Sequence, residues 1–217
     1  MFIKSSLTIV RARLHTADVF CHLLYTMSRK ALPYRETSDC FILYKGQLVA
    51  RAVRNANTGS SYLSLPGGGV DPGERPAAAA RRECVEEVGA KLKSLTSVVV
   101  VTWDWFPAWA DTPKRQERYA QFRGEKIHLF VGEVDKFVEP TSSEGDAWKG
   151  KKLMSLAAAI KIMAASMKTD HENMAPYRAA QMTLLNMMKI AGAAPKRPGA
   201  SPKRRAAPKK KTHRSDA

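Results

Sequence analysis

The sequence predicts an α/β fold, with a mixed β-sheet and helices on both of its faces. Strand-like and helical segments interleave between residues 31 and 192, without the regular alternation that is typical of a doubly wound parallel sheet. The length of 217 residues and the hydrophobic content of 44% are sufficient for one globular domain with terminal extensions. We therefore expect one mixed-sheet domain in the middle of the chain.

Five segments have the composition and the turn signals of β-strands. The pair Lys45-Gly46 separates the first two segments as a hairpin-type turn, and the third segment ends at a Pro-Gly-Gly-Gly stop. Between the last two lies a polar stretch at residues 111–124, which we expect to be a loop that covers the functional site. The predicted strands are residues 40–44, 47–53, 61–65, 98–105 and 126–134.

Three segments are predicted to be helical. Residues 76–88 begin with a proline, which is favoured in a first helical turn, and continue with an alanine run and then with charges on one side. Residues 153–167 and 175–190 carry apolar side chains at helical spacing. We expect these helices to cover the two faces of the sheet.

The net charge of +16 belongs mostly to the two ends of the chain. Residues 1–30 contain five Lys or Arg against one acid, and residues 195–217 contain nine against one. This distribution divides the chain into an N-terminal extension (1–30), a nearly balanced central domain (31–192) and a basic tail (193–217). A strongly basic surface is therefore not expected on the central domain.

The two terminal segments are expected to lie outside the fold. The tail has prolines, small residues and no large apolar side chain, so it cannot bury enough surface to offset the entropy of ordering it. Residues 195–217 then serve either as a solubilising spacer, as an electrostatic arm for RNA, DNA or another polyanion, or as a nuclear address. The N-terminal extension fits a loosely attached segment or a transit peptide, and Met27 is an alternative start.

Hydropathy and cysteine content indicate the cellular compartment in which the protein is expected. No apolar run of about 18 residues occurs, so we expect no membrane-spanning helix. The cysteines at positions 21, 40 and 84 are odd in number and widely spaced, which is typical neither of a disulfide framework nor of a zinc motif. We therefore expect an intracellular protein, cytoplasmic or nuclear, that is not secreted.

Three glutamates of the predicted helix at residues 76–88 share one face. Glu83, Glu86 and Glu87 stand at i, i+3 and i+4, which places their carboxylates close together. Such like charges repel one another unless a hard cation neutralises them, and Mg²⁺ or Mn²⁺ prefers these oxygen ligands. Because the same ion can hold phosphate oxygens, the pattern indicates a metal site for phosphate chemistry. A solvated acidic helix face is the alternative.

The motif around these glutamates resembles the Nudix box, G-x5-E-x7-R-E-U-x-E-E-x-G-U, in which U is apolar. Every specified position is filled, although the residues at 84 and 90 are small for apolar positions. The resemblance implies an α/β/α sandwich with a mixed sheet, and an enzyme that hydrolyses nucleoside diphosphates linked to another moiety. The matching residues are Gly68, Glu74, Arg82, Glu83, Cys84, Glu86, Glu87, Gly89 and Ala90.

The resemblance also implies roles for the residues of the box. The metal ligands, for Mg²⁺ or Mn²⁺, would be Gly68 through its carbonyl, Glu83, Glu86 and Glu87. Glu74 would pair with Arg82 and brace the loop, which is a structural role. The group that takes the proton from water varies within the family, so Glu86, Glu87 and the distal Glu144 are all retained as catalytic candidates.

The substrate is less well defined by the sequence. Arg51 and Arg54 follow a strand that leads to the glycine loop, where some relatives hold substrate phosphates with basic residues. Trp105 lies in an aromatic-rich segment after the box and is our candidate for stacking on a base. The alternative is that the two arginines are ordinary surface residues and that the tryptophan belongs to the core.

Several functions therefore remain open. The leading hypothesis is hydrolysis of a small nucleotide-type substrate, namely a nucleoside triphosphate, a nucleotide sugar or a dinucleotide. An RNA-cap or diphosphoinositol-polyphosphate pyrophosphohydrolase that uses the basic tail is the second. A nucleotide- or RNA-binding module without turnover is the third, although intact glutamates argue against it. A homodimer is expected only by analogy with relatives.

Overall fold

The computed structural model describes residues 28–54, 59, 61–142, 147–150 and 152–193. These residues form eight strands and four α-helices, together with a helical turn at residues 28–30 and 3₁₀ turns at Pro107–Trp109 and Glu172–Met174. The strands are β1 (Tyr34–Tyr44), β2 (Gln47–Val49), β3 (Arg51–Arg54), β4 (Ser61–Ser64), β5 (Gly67–Gly69), β6 (Ala90–Asp104), β7 (Gly124–Phe137) and β8 (Leu153–Met154). The helices are α1 (Pro76–Val88), α2 (Pro113–Gln121), α3 (Leu156–Ser166) and α4 (Ala175–Ala193).

Six of these strands form one mixed sheet, in which five follow the order β6-β7-β1-β2-β8 and β5 pairs with β1 outside this path. β1 runs parallel to β7, whereas its pairings with β2 and β5 are antiparallel. Because β7 occupies one edge of β1 almost throughout, β5 and β2 share the other edge, β5 near the start of β1 and β2 at its end. β3 and β4 pair as a separate two-stranded sheet.

The core lies on both faces of the sheet, because successive side chains of β1 point in opposite directions. On one face, Cys40 and Ile42 pack with Cys84 of α1. On the other face, Phe41 packs with Met163 of α3 and with side chains of α4. The predicted α/β fold, a mixed sheet with helices on both faces, is therefore confirmed.

The elements differ from the predicted ones in length and in two places in type. Residues 47–53 divide into β2 and β3, and β6 and β7 extend well beyond their predicted bounds. Leu153 and Met154, predicted to be helical, form β8 because they pair with β2, and the helix starts only after Ser155 caps it. The predicted loop at residues 111–124 contains α2, which Thr112 caps.

None of the described helices is long and apolar enough to cross a membrane. The N-terminal extension up to Met27 and the tail from residue 194 onward lie outside the described residues. The expectations about both ends therefore stay predictions.

Candidate active site

Helix α1 is the central element of the site, and its bounds are those predicted. Ala80, Cys84 and Val88 recur at helical spacing and are fully buried against the sheet. The three glutamates of the box project from the other side into a cleft of about 640 Å³. The helix ends at Gly89, whose φ of 69° lies in the left-handed region that favours glycine.

The three glycines of β5 bring bare backbone between this helix and β1. A β-carbon at Gly68 would lie 2.6 Å from Oε2 of Glu83 and closer still to Oε1. On the other side of the strand, a β-carbon at Gly67 would lie 2.9 Å from Oδ1 of Asp39. One at Gly69 would lie 3.3 Å from Cζ of Arg35. A side chain at Gly68 or Gly69 would displace a charged group of the cleft, whereas one at Gly67 would collide with the main chain of β1 at the Ser38 carbonyl.

Arg82 is the hub of the acidic face. Its Nε and Nη2 donate to the two carboxylate oxygens of Glu74, at 3.1 and 2.9 Å, and Nη2 also donates to the Gly69 carbonyl at 2.9 Å. Its Nη1 donates to Glu83 and to Glu86, both at 3.0 Å. These contacts raise the pKa of Arg82 and fix the loop before α1 onto the helix.

The carboxyl groups of Glu83 and Glu87 lie in a partly buried place, where their ionised forms are disfavoured. Burial, together with repulsion from Glu83, raises the pKa of Glu87 to about 7, even though Glu87 accepts a hydrogen bond from the Gly67 amide at 3.0 Å. Burial also raises the pKa of Glu83, against the attraction of Arg82. Such carboxylates are stabilised by a cation placed between them.

The donor set fits a hard divalent ion, although it is not a preformed cage. Within the described part of the chain, no three His, Cys, Asp or Glu side chains are arranged to hold a metal. Glu83 and Glu86 instead turn toward Arg82, and Glu87 toward the Gly67 amide. Their carboxylate oxygens, with nearby backbone carbonyls, have the chemistry that Mg²⁺ and Mn²⁺ prefer.

Basic side chains line the same cleft. Arg35 enters it from the start of β1, and Lys114 and Arg118 enter it from α2, where they stand one helical turn apart. Burial and the nearby Arg118 both lower the pKa of Arg35, so an anion between these two guanidinium groups would be favourable. Hydroxyl-bearing Thr141 and Ser142 complete this part of the lining.

Arg35 forms an ion pair with Glu125 on the neighbouring strand β7. Glu125 of β7 lies beside Arg35 in the sheet register, and Oε1 of Glu125 is 3.5 Å from Nη1 of Arg35. Trp103 donates from Nε1 to Glu125 at 3.3 Å. Burial is the main cause that raises the pKa of Glu125 to about 7. Arg35 is therefore positioned by a chain of contacts that runs across three strands.

The two arginines proposed from sequence occupy different places. The Arg51 guanidinium stacks 4.4 Å from the ring centre of Trp148, and its charge partly offsets the rise in the pKa of Glu87. Arg54 is exposed, and neither arginine lines the cleft. Arg51 thus borders the acidic face, whereas Arg54 would reach a substrate only beyond the cleft.

Trp105 does not line the cleft, and the position of Glu144 is not described by the structure. Trp105 is 3% exposed, and its ring stacks on Trp109 with 3.7 Å between ring centres. Stacking of a base on Trp105 would require the ring to be uncovered. Glu144 lies outside the described residues, two positions after the cleft-lining Ser142.

Four residues in and beside the cleft were not predicted from the sequence, namely Arg35, Lys114, Arg118 and Glu125. Arg35 and Glu125 belong to no local motif, and only the parallel pairing of β1 with β7 places them side by side. The spacing of Lys114 and Arg118 was a usable signal, since i and i+4 share one face of a helix. It was missed because the segment was interpreted as a loop.

Comparisons with known proteins show which family the chain is similar to. A family model of the NUDIX domain matches residues 33–177, more than half of the chain. The chain is 32% identical to an RNA pyrophosphohydrolase of Bartonella clarridgeiae over 149 residues, 60% of this chain and 83% of the relative. It is 32% identical to an RNA pyrophosphohydrolase of Agrobacterium fabrum over 152 residues, with 62% and 87% covered.

A solved structure was also found to be similar. It is a NUDIX hydrolase from Nitrosomonas europaea, with a TM-score of 0.46 and 16% sequence identity. The match covers 73% of this chain and 90% of that structure.

Proposed function

This chain belongs to the Nudix hydrolase family, and we propose that it is a divalent-metal-dependent pyrophosphohydrolase that acts on the 5′-polyphosphate end of RNA. The relatives that span most of this chain are named RNA pyrophosphohydrolase, which supports RNA as the first substrate to test. A small nucleotide-type substrate is the alternative.

One observation carries the proposal: acidic and basic side chains line the same cleft. The carboxylates of Glu83, Glu86 and Glu87 fit the metal, and the cationic groups of Arg35 and Arg118 fit phosphate oxygens. A substrate with several adjacent phosphates spans both groups. The arrangement thus suits a pyrophosphate bond that is bound at both of its ends.

The mechanism follows from the positions of these groups. Glu83, Glu86, Glu87 and the Gly68 carbonyl would hold Mg²⁺ or Mn²⁺, which neutralises phosphate charge and activates water when bound. Arg82 orients Glu83 and Glu86 through its Nη1 contacts at 3.0 Å. A carboxylate takes the proton of the attacking water, and Glu86, Glu87 and Glu144 are the candidates.

The lining of the cleft favours recognition of phosphates over recognition of a base. Among the described residues, charged, hydroxyl and glycine residues line the cleft, and no aromatic ring does. The aromatic candidate Trp105 is buried beneath its stacking partner Trp109. A site that binds the 5′-polyphosphate without stacking on the first base is compatible with a long RNA chain attached to that polyphosphate.

The proposal is tested with a panel of substrates at equal concentration, with Mg²⁺ and separately with Mn²⁺. The panel contains a 5′-triphosphorylated RNA, a capped RNA, a nucleoside triphosphate, a nucleotide sugar, a dinucleoside polyphosphate and a diphosphoinositol polyphosphate. We expect the triphosphorylated RNA to have the highest kcat/KM. A small nucleotide with a higher value would establish the alternative, and binding without turnover of any substrate would indicate a non-catalytic module.

A further inference from the structure

Helix α2 has few contacts that hold it in place. It has nine residues and buries none of them completely, and so short a helix is marginally stable in water. At its start, Thr112 accepts from the Arg115 amide at 3.3 Å, and Asp111 pairs with Arg115 at 2.7 Å. These contacts stabilise the first turn but do not tie the helix to the rest of the domain.

The end of α2 is bound by Arg29, which lies in the helical turn before β1. Its Nη1 donates to the Tyr119 carbonyl at 2.7 Å, and its Nη2 donates to the carbonyls of Phe122 and Arg123 at 2.9 and 3.3 Å. The guanidinium also lies 3.5 Å from the centre of the Tyr119 ring. A cation that binds the last carbonyls of a helix offsets the negative end of its dipole.

The two faces of α2 have different surroundings. Tyr119 and Phe122, near its end, pack against the core cluster that lies beneath α3 and α4. Lys114 and Arg118, one turn apart on another face, line the cleft. The rotation and tilt of α2 therefore decide whether these two cations reach the cleft.

We propose that Arg29 is a positioning residue for substrate binding, because it fixes the end of α2 and thereby directs Lys114 and Arg118 toward substrate phosphates. This inference rests on the proposed function of the cleft. Arg29 itself does not line the cleft, so it acts through α2.

The test compares Arg29→Ala with Lys30→Ala in the full chain. Lys30 is exposed on the same turn, and its loss removes the same charge. For 5′-triphosphorylated RNA we expect Arg29→Ala to raise KM about five- to tenfold and to change kcat less than about twofold, since a binding contact is loosened. Hydrogen exchange of the amides at residues 114–122 should become faster, with exchange in α1 unchanged. Lys30→Ala should behave as the wild type.

Rescue by a conservative variant separates positioning from general stabilisation. Arg29→Lys keeps the charge but has no fork to bind three carbonyls, so its KM should lie between those of the wild type and Arg29→Ala. The proposal is wrong if Arg29→Ala and Lys30→Ala have equal KM values. It is equally wrong if exchange rises throughout the domain, or if kcat falls while KM stays constant.

Inorganic tripolyphosphate keeps this test independent of RNA turnover. Its affinity with Mg²⁺, measured by calorimetry, should fall about fivefold in Arg29→Ala and stay constant in Lys30→Ala. In one outcome, the wild type hydrolyses no RNA while tripolyphosphate binding is weakened in Arg29→Ala and unchanged in Lys30→Ala. That result would mean that RNA is the wrong substrate and that Arg29 still positions α2. If the wild type neither hydrolyses RNA nor binds tripolyphosphate, both proposals are overturned.

Discussion

At position 68 the main chain lies so close to Glu83 that a β-carbon would be 2.6 Å from Oε2 of that carboxylate. A Gly68→Ala variant must therefore displace Glu83 from the acidic face. Since misplacing a reacting group by about 1 Å can reduce a rate on the order of 100-fold, we expect a kcat loss of that size. The measurement is pyrophosphate release at saturating metal.

A matched alanine variant is available at Gly192 in α4, where a β-carbon would meet nothing within 4 Å. Gly192→Ala should keep wild-type kcat. Equal activity of Gly68→Ala and Gly192→Ala would show that catalysis does not require the position that Glu83 has in the structure.

Glu125 leads to a prediction about pH. Its pKa is raised to about 7 in the folded protein, above the ordinary value of 4.5. Between these values the folded state binds the proton more tightly than the unfolded state, so the free energy of unfolding falls as pH rises through this window. The decrease that Glu125 contributes is on the order of 2 kcal/mol, and this contribution should be absent in Glu125→Gln.

Urea unfolding of both proteins at pH 5 and pH 8 checks this prediction. Glu125→Gln also lacks the full ion pair with Arg35, so the quantity to compare is the change in unfolding free energy between the two pH values. We expect a smaller decrease in the variant. Parallel pH dependences would mean that Glu125 titrates normally in the folded protein.

At the scale of elements, Arg82 joins α1 to the loop that precedes it. It donates to both oxygens of Glu74 and to the Gly69 carbonyl, in addition to the glutamates of the helix. Arg82→Ala leaves these acceptors without their partner, so we expect the free energy of unfolding to fall by about 2–3 kcal/mol. Thermal unfolding of the metal-free protein measures this loss.

The neighbouring Arg81 provides the control, because its Nη1 makes one exposed contact of 3.4 Å with the Leu92 carbonyl. Arg81→Ala should lose less than about 0.5 kcal/mol, as for most exposed sites. Equal losses for the two variants would contradict the role of Arg82 as the hub.

Some secondary-structure elements could be predicted from local sequence signals, and others could not. α1 was predicted with its observed bounds because the proline, the alanine run, the glutamate spacing and Gly89 are all local signals. β5 and β8 were not predicted, since two or three residues become strands only through pairing with β1 or β2. The place of Arg35 beside Glu125 depends on pairing of β1 with β7, which are far apart in sequence.

At the scale of the whole molecule, charge is distributed unevenly. The cleft contains both acidic and basic groups, whereas residues 195–217 carry nine Lys or Arg against one acid. If the tail acts as an arm for RNA, deleting it should raise KM for RNA several-fold at low salt and little at high salt, because salt screens contacts with phosphate.

The control substrate is a nucleoside triphosphate, which is too small to reach an arm outside the cleft. Its KM should be the same with and without residues 195–217. A tail deletion that leaves the salt dependence of RNA hydrolysis unchanged would assign the tail to another role.

Glu86 and Glu87 are central to the proposed metal-dependent cleavage of a pyrophosphate bond. The most direct measurement is metal-dependent release of pyrophosphate from 5′-triphosphorylated RNA by a Glu86→Gln, Glu87→Gln variant. Its control is a Glu133→Gln, Glu172→Gln variant, which changes two exposed carboxylates away from the cleft. We predict that the first variant loses activity by about 1,000-fold or more while its fold is kept, and that the control stays active. Undiminished, metal-dependent release by the first variant would contradict the account.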